Sequence, residues 1–323
     1  MSKIDMGWGN PYFLLDVMKK EVGDVDILVP TLDASYPPDL GIPTLIQQTH
    51  EIIKLTANQS YKHVVITAGA TQAINSVMRY ERKRGKKLVY MNEYGYPFYD
   101  DMVANSGLER RTFKKYTKKS KNFAVIDSPT NPEGDQITTM FLPNIYWDAV
   151  YQSEIYNADM TKYPEHVAMI GSYSKLLGIS GARIGWIATN DTALFTDLAD
   201  VCLKDTATIS LMSQCYVSSI LDNLLKEDYI SDVKIKRFMR LGKLYLDDNR
   251  ESLNKISKIF DYQDVPECGM FYCVKADKKA VQLLTRAGIN FTRLDAETIR
   301  LNIGQTKKVV RQAVDAVLKE DKI

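Results

Sequence analysis

Histidine and cysteine are scarce in this chain, and that scarcity narrows the chemistry before any motif is read. Only His50, His63 and His166 occur among 323 residues, each isolated from cysteine or carboxylate clusters. A zinc centre needs such a cluster and a Ser-His-Asp triad needs a placed histidine, so neither is expected and no metal ligand is assigned. The four cysteines, Cys202, Cys215, Cys268 and Cys273, show neither CxxC spacing nor disulfide density. They fit reduced thiols in a cytoplasmic protein. No apolar run approaches a membrane span, and the N-terminus lacks a signal-peptide core, so no membrane partner is expected. A one-sided charge is missing as well. With 42 basic against 40 acidic residues the net charge is +2, which leaves no strong field for nucleic acid. The basic cluster Arg110 to Lys121 reads as a solvated face. Internal repeats and low-complexity linkers are also absent.

What is present is ample core. Hydrophobic residues make up 45% and charged residues 25% of the chain, the profile of a soluble globular protein with room for one large or two ordinary domains. Apolar runs at His63–Thr67, Leu88–Met91, Phe123–Asp127, Ile145–Val150, Val167–Ile170 and Ile184–Ala188 predict strands, with helical periodicity between them. That alternation argues for an α/β sheet with ligand groups at its strand ends. Beyond residue 226 the pattern changes to a long charged helix, strands at Met270–Val274 and Thr298–Ile303, and helices. The expected division is an arm at 1–35, a large α/β domain at 36–226 and a smaller α+β domain at 227–323.

The chemistry concentrates in Ile170 to Trp186, IGSYSKLLGISGARIGW. A lysine at the end of a buried strand is partly desolvated, which lowers its pKa and frees the amine for Schiff-base chemistry. Ser172, Ser174 and Arg183 could hold a phosphate beside Lys175, and a phosphate-bearing aldehyde bound as an imine is pyridoxal phosphate. A solvated loop lysine is the plain alternative. Elsewhere, the turn at Gly69-Ala70-Thr71 joins a strand to a helix N-terminus, a seat for phosphate that many α/β proteins carry without a ligand. Asn131 sits between two prolines in a rigid turn, SPTNPEG. Asp148 is a carboxylate within an apolar run, and a buried carboxylate needs a partner.

Gly69-Ala70-Thr71, Tyr96, Asn131, Asp148 with Tyr151, SYSK with Arg183, and Arg300 follow one another at spacings that resemble the fold-type I pyridoxal phosphate-dependent enzymes, aminotransferase class I/II. The resemblance runs from about Tyr36 to Gly304. NPEG, SKLLGISGARIGW and ATNDTALFTDLADV look most like the alliinase and tryptophan-aminotransferase-related branch, although this chain has no cysteine-rich N-terminal module and is short for the superfamily. The resemblance implies the aspartate aminotransferase-like fold, with a mixed, mostly parallel sheet and a smaller α+β domain. It implies that Lys175 binds the cofactor as an imine and later moves the substrate proton, and that Asp148 keeps the ring nitrogen protonated. Asn131 and Tyr151 would meet the ring oxygen, and Tyr96 would stack on the ring. Gly69, Ala70, Thr71, Ser172, Ser174 and Arg183 would take the phosphate. Arg300 would bind the substrate carboxylate, with Gly9 and Asn131 beside it. Tyr36 matches a tyrosine that reaches the phosphate of a neighbouring subunit, so a homodimer is implied. The activity implied is transfer of an amino group from an α-amino acid to a 2-oxo acid. A β-eliminating C–S lyase and a non-catalytic binding protein are the alternatives. Trp8, Tyr12, Phe13, Tyr94, Tyr96 and Phe98 favour an apolar or aromatic substrate side chain.

Overall fold

The computed structural model describes residues 3–24, 35–117, 119–138, 142–228, 230, 232–260 and 268–321. Positions 25–34 of the expected arm and position 118 of the basic cluster lie outside the described residues.

Among these residues the largest sheet has seven strands in the order β2-β8-β7-β6-β5-β3-β4. They are β2 (His63–Thr67), β3 (Leu88–Met91), β4 (Glu109–Thr112), β5 (Phe123–Asp127), β6 (Ile145–Asp148), β7 (Ala168–Ser172) and β8 (Gly185–Thr189). Pairing is parallel from β4 to β7, while β8 runs antiparallel to both β7 and β2. The carboxyl ends of β2, β3, β5, β6 and β7 therefore share one edge, and the chain re-enters β8 from that same edge. Ligand groups of open α/β sheets gather at such an edge.

Burial on both faces explains why these strands read as continuous apolar runs. In β5 every residue of FAVID is buried. One face is covered by α3 (Gly69–Lys83), α4 (Tyr99–Asn105) and α6 (Thr192–Thr206), whose Ile74, Val77, Met102 and Leu198 pack with Val125 and Ile170. The other face meets α1 (Phe13–Glu21), α2 (Pro43–Ala57), α7 (Leu211–Leu224) and α8 (Lys234–Asn254), where Leu14, Ile52, Val217 and Phe238 share a cluster with Trp147 and Trp186. Local signals fix the helix ends. Pro43 opens α2, Asn58 closes it in the left-handed region, and Asp191 caps α6 by accepting from Leu194 N at 3.0 Å.

The remaining strands are small. A two-residue parallel pair joins β1 (Ile4–Asp5) to β12 (Ile289–Asn290), and an antiparallel ladder joins β9 (Glu227–Asp228) to β10 (Asp232–Val233). A three-stranded antiparallel sheet, β11 (Phe271–Lys275), β14 (Thr298–Asn302) and β13 (Thr292–Arg293), packs with α9 (Lys278–Arg286) and α10 (Lys307–Glu320).

Three elements differ from the sequence reading. The start of the basic cluster, Arg110 to Thr112, expected as a solvated face, belongs to edge strand β4; its Arg110 is partly buried and donates to the carbonyls of Asn92 and Glu93. β6 stops at Asp148 instead of Val150, because the Asp148 carboxylate accepts Val150 N–H at 3.3 Å and turns the chain. The N-terminal arm begins as a strand on β12. No described helix is long and apolar enough to cross a membrane.

Candidate active site

Lys175 lies in the short helix α5 (Tyr173–Leu176), which leaves the end of β7. Its ammonium donates to the carbonyl of Gly9. Burial, followed by the guanidinium groups of Arg300 and Arg183, lowers its pKa to about 8, while Asp148 opposes the shift. A solvated loop lysine would show none of this. The amine is freed within reach of neutral pH, as a nucleophile or proton carrier requires.

The phosphate seat expected around Arg183 is assembled from backbone and side chain together. Gly69 opens α3 at φ +77°, and a Cβ there would stand 2.9 Å from Arg183 Nη2, so the guanidinium lies against the helix start. Gly185 must also be glycine, since a Cβ would meet the backbone of Gly69 and Ala70 at 2.6 and 2.8 Å. No side chain caps α3, whose first-turn N–H groups belong to the Gly69–Gln72 segment. Ser174 Oγ is buried with no partner. Ser172 Oγ accepts from Ser174 N and donates to Ile184 O, both at 3.2 Å. Arg183 donates to the carbonyls of Ser180 at 3.2 Å and Ala68 at 3.5 Å and, with the helix N-terminus and the unpaired hydroxyl, forms a donor-rich set that fits a phosphate group.

Asp148, at the end of β6, is 4% exposed. Its partner is Tyr99, whose hydroxyl donates to Oδ2 at 2.6 Å. Burial raises the carboxyl to about 6 against that hydrogen bond. Tyr96 meets Tyr99 and Phe98 edge-on, with ring centroids 5.8 and 5.3 Å apart. Tyr151 packs edge-on against Phe271, at 5.9 Å. Burial drives the Tyr151 phenol above its ordinary pKa, with Arg300 opposing.

Arg300, in β14, is buried at 4% exposure and stacks over the Phe271 ring at 4.3 Å. It donates to Asn131 Oδ1 at 3.1 Å, Gly7 O at 3.3 Å and Thr292 Oγ1 at 3.4 Å, and its Nε–H has no partner. Nearby, Asp295 accepts from Tyr94. Asn131 thus directs its side-chain oxygen to Arg300, while its N–H donates to Asp127 Oδ2 at 2.8 Å.

A cavity of about 430 Å³ is lined by Gly9, Ala70, Thr71, Tyr96, Asn131, Asp148, Tyr151, Ser172, Ser174, Lys175, Arg183 and Arg300. Gly69 stands behind Arg183. Tyr36 is apart from this cavity and 83% exposed. Sequence reasoning passed over three further participants. Asp127 also lines the cavity, although it carried the signal that singled out Asp148, a carboxylate ending an apolar run. Tyr99 was one tyrosine among several. Asn302 holds the arm by donating to Trp8 O and Asn10 O, a role without a sequence signature.

A sequence model of the family "Aminotransferase class I and II" matches residues 2–317. A (5-formylfuran-3-yl)methyl phosphate transaminase of Methanocaldococcus jannaschii is 22% identical over 87% of this chain and 82% of that protein. The aromatic aminotransferase ISS1 of Arabidopsis thaliana is 25% identical over 57% of this chain and 53% of its own length. Among solved structures, a Thermus thermophilus aspartate aminotransferase mutant complexed with tryptophan superposes with a TM-score of 0.76. It is 16% identical, with 99% of this chain and 92% of that chain covered.

Proposed function

The chain belongs to the class I and II aminotransferases, and from that premise we propose how its residues divide the work. The enzyme is a pyridoxal phosphate-dependent aminotransferase. When bound, the cofactor supplies an electron sink for the pair left on the substrate Cα after a proton departs. Arg183, Ser174, Ser172 and the amides of Gly69–Thr71 would hold its phosphate, Asp148 its ring nitrogen, Tyr96 its face, and Asn131 and Tyr151 its ring oxygen.

The chain's own part is binding, orientation and proton transfer. Arg300 binds the substrate carboxylate as a planar fork, beside Asn131 and the Gly9 segment. This fixes which Cα bond faces the ring. Lys175 takes the Cα proton on its amine and would hand it on to the cofactor, which its lowered pKa allows near neutrality. Tyr99 keeps Asp148 oriented. The observation that carries this reading is a desolvated lysine, acted on by Asp148 and Arg300, in the same cavity as the Arg183 and Ser174 donors.

Trp8, Tyr96, Phe98, Phe271 and Phe291 around the cavity support a donor with an apolar or aromatic side chain. The NPEG and SKLLGISGARIGW motifs support the alliinase and tryptophan-aminotransferase-related branch, and the exposed Tyr36 supports a homodimer in which it reaches the second copy. We assign the seven-stranded sheet to a large domain at 36–226 and the three-stranded sheet to a small one at 227–323. Four cysteines without CxxC spacing or disulfide density support a reducing compartment such as the cytoplasm.

The decisive experiment is an absorbance titration of cofactor-loaded protein with single amino acids and no oxo acid. Amino transfer converts the cofactor stoichiometrically to its aminated form. Elimination, which those relatives do not favour, would instead restore the original band while ammonia and an oxo acid accumulate. Lys175→Ala should abolish turnover; wild-type turnover in that variant would sink the assignment.

A further inference from the structure

Asp127 and Asp148 end adjacent parallel strands and are direct register partners, so the two side chains leave the same face of the sheet. Both line the cavity, and both are buried, at 2% and 4% exposure. Their partners are unequal. Asp148 receives Tyr99 OH on one oxygen and Val150 N–H on the other. Asp127 Oδ2 receives Asn131 N–H, whereas Oδ1 is buried with no partner.

The surroundings of Asp127 add no compensating cation. β6 presents Asp148, α4 presents Tyr99 beyond it, and the turn after β5 presents Asn131 and the half-buried Glu133. Lys175, after β7, acts on Asp148. No described lysine or arginine forms an ion pair with either carboxylate. Two adjacent carboxylates out of water do not both ionise.

We infer that Asp127 carries a proton on Oδ1 at working pH and acts as a neutral positioning residue, leaving the negative charge to Asp148. Since Oδ2 is committed to an N–H donor, the proton belongs on the oxygen without a partner. Burial, and then the charge of Asp148, raise the Asp127 carboxyl well above the usual carboxylate range, in agreement with this placement. The neutral acid also connects two halves of the site. Through Oδ2 it fixes the Asn131 backbone, and the Asn131 side chain holds Arg300 Nη1 at 3.1 Å. The consequence for substrate rests on the reading of Arg300 as the carboxylate fork; the proton itself does not.

The test is infrared difference spectroscopy of the full chain loaded with pyridoxal phosphate, comparing wild type with Asp127→Asn at neutral pH. A protonated-carboxyl stretch present in wild type and missing in the variant is expected; its absence from wild type would overturn the inference. Stability against pH gives a second reading. A carboxyl raised in the folded state loses its contribution as pH rises through the folded pKa, so wild type should weaken toward alkaline pH more steeply than Asp127→Asn. Parallel slopes would also overturn it. Asp127→Ala should raise KM for the amino donor about tenfold through Asn131 and Arg300, with a smaller effect on kcat. If the chain took up no pyridoxal phosphate the cofactor reading would fail, and the infrared band of the unloaded chain would still decide the proton.

Discussion

Arg300 shows how much one side chain depends on its shape. Its guanidinium is stacked on Phe271, tied to Asn131 and Gly7, and left with one unpaired N–H in the cavity. A lysine would keep the charge and lose the planar fork. Arg300→Lys should therefore raise KM for the amino acid by about ten- to a hundredfold, on the scale of one charged hydrogen bond, with little change in cofactor affinity. Steady-state kinetics beside a cofactor titration checks this, and equal losses of both would make Arg300 structural. At this scale the sequence was legible where a residue's type conflicted with its neighbours. Lys175 follows a buried strand, and Asp148 and Arg300 are charges inside apolar runs. Asp127 is too, but it was read as the end of a strand. Tyr99 could not be told from Tyr94 and Tyr96, because only the fold decides which tyrosine faces Asp148.

Among elements, the contact of β8 with the start of α3 sets the phosphate seat. The two backbones approach so closely that no side chain fits at Gly185, where the nearest atoms are backbone and cannot rotate aside. Gly185→Ala should push β8 from Gly69 and Ala70, at a cost of about 1–3 kcal/mol for overpacking. Thermal melts and a cofactor titration check this, and affinity should fall along with stability. The long apolar strands were readable from sequence because burial on both faces leaves continuous hydrophobic runs. β4 was not, since an edge strand of sequence ERRT carries no such run. β1 and β12 are two residues each, too short for any periodicity, and pair only because the arm folds back across the chain.

Over the whole molecule, a single hydrophobic cluster unites Leu14 of the arm, Trp186 of the large sheet, Phe238 of α8 and Tyr272 of the small sheet. The site is joined in the same way, with Arg300 and Gly7 on one side and Asn131 and Lys175 on the other. The sequence order placed these groups in separate segments; their convergence is a product of the sheet edge and of the returning arm. The distribution of charge has a further consequence. The chain is nearly neutral at +2, yet Lys175, Arg183 and Arg300 line the same cavity as the carboxyl groups of Asp127 and Asp148. With Arg183 given to the phosphate and Asp148 to the ring nitrogen, Arg300 is left to face the substrate. Amino acids and oxo acids both present a carboxylate, so the attraction acts at the moment of encounter, over about the 8–10 Å that salt leaves unscreened. Substrate entry should slow as ionic strength rises, visible in stopped-flow association rates, while the proton-transfer step at the buried Lys175 stays nearly indifferent to salt.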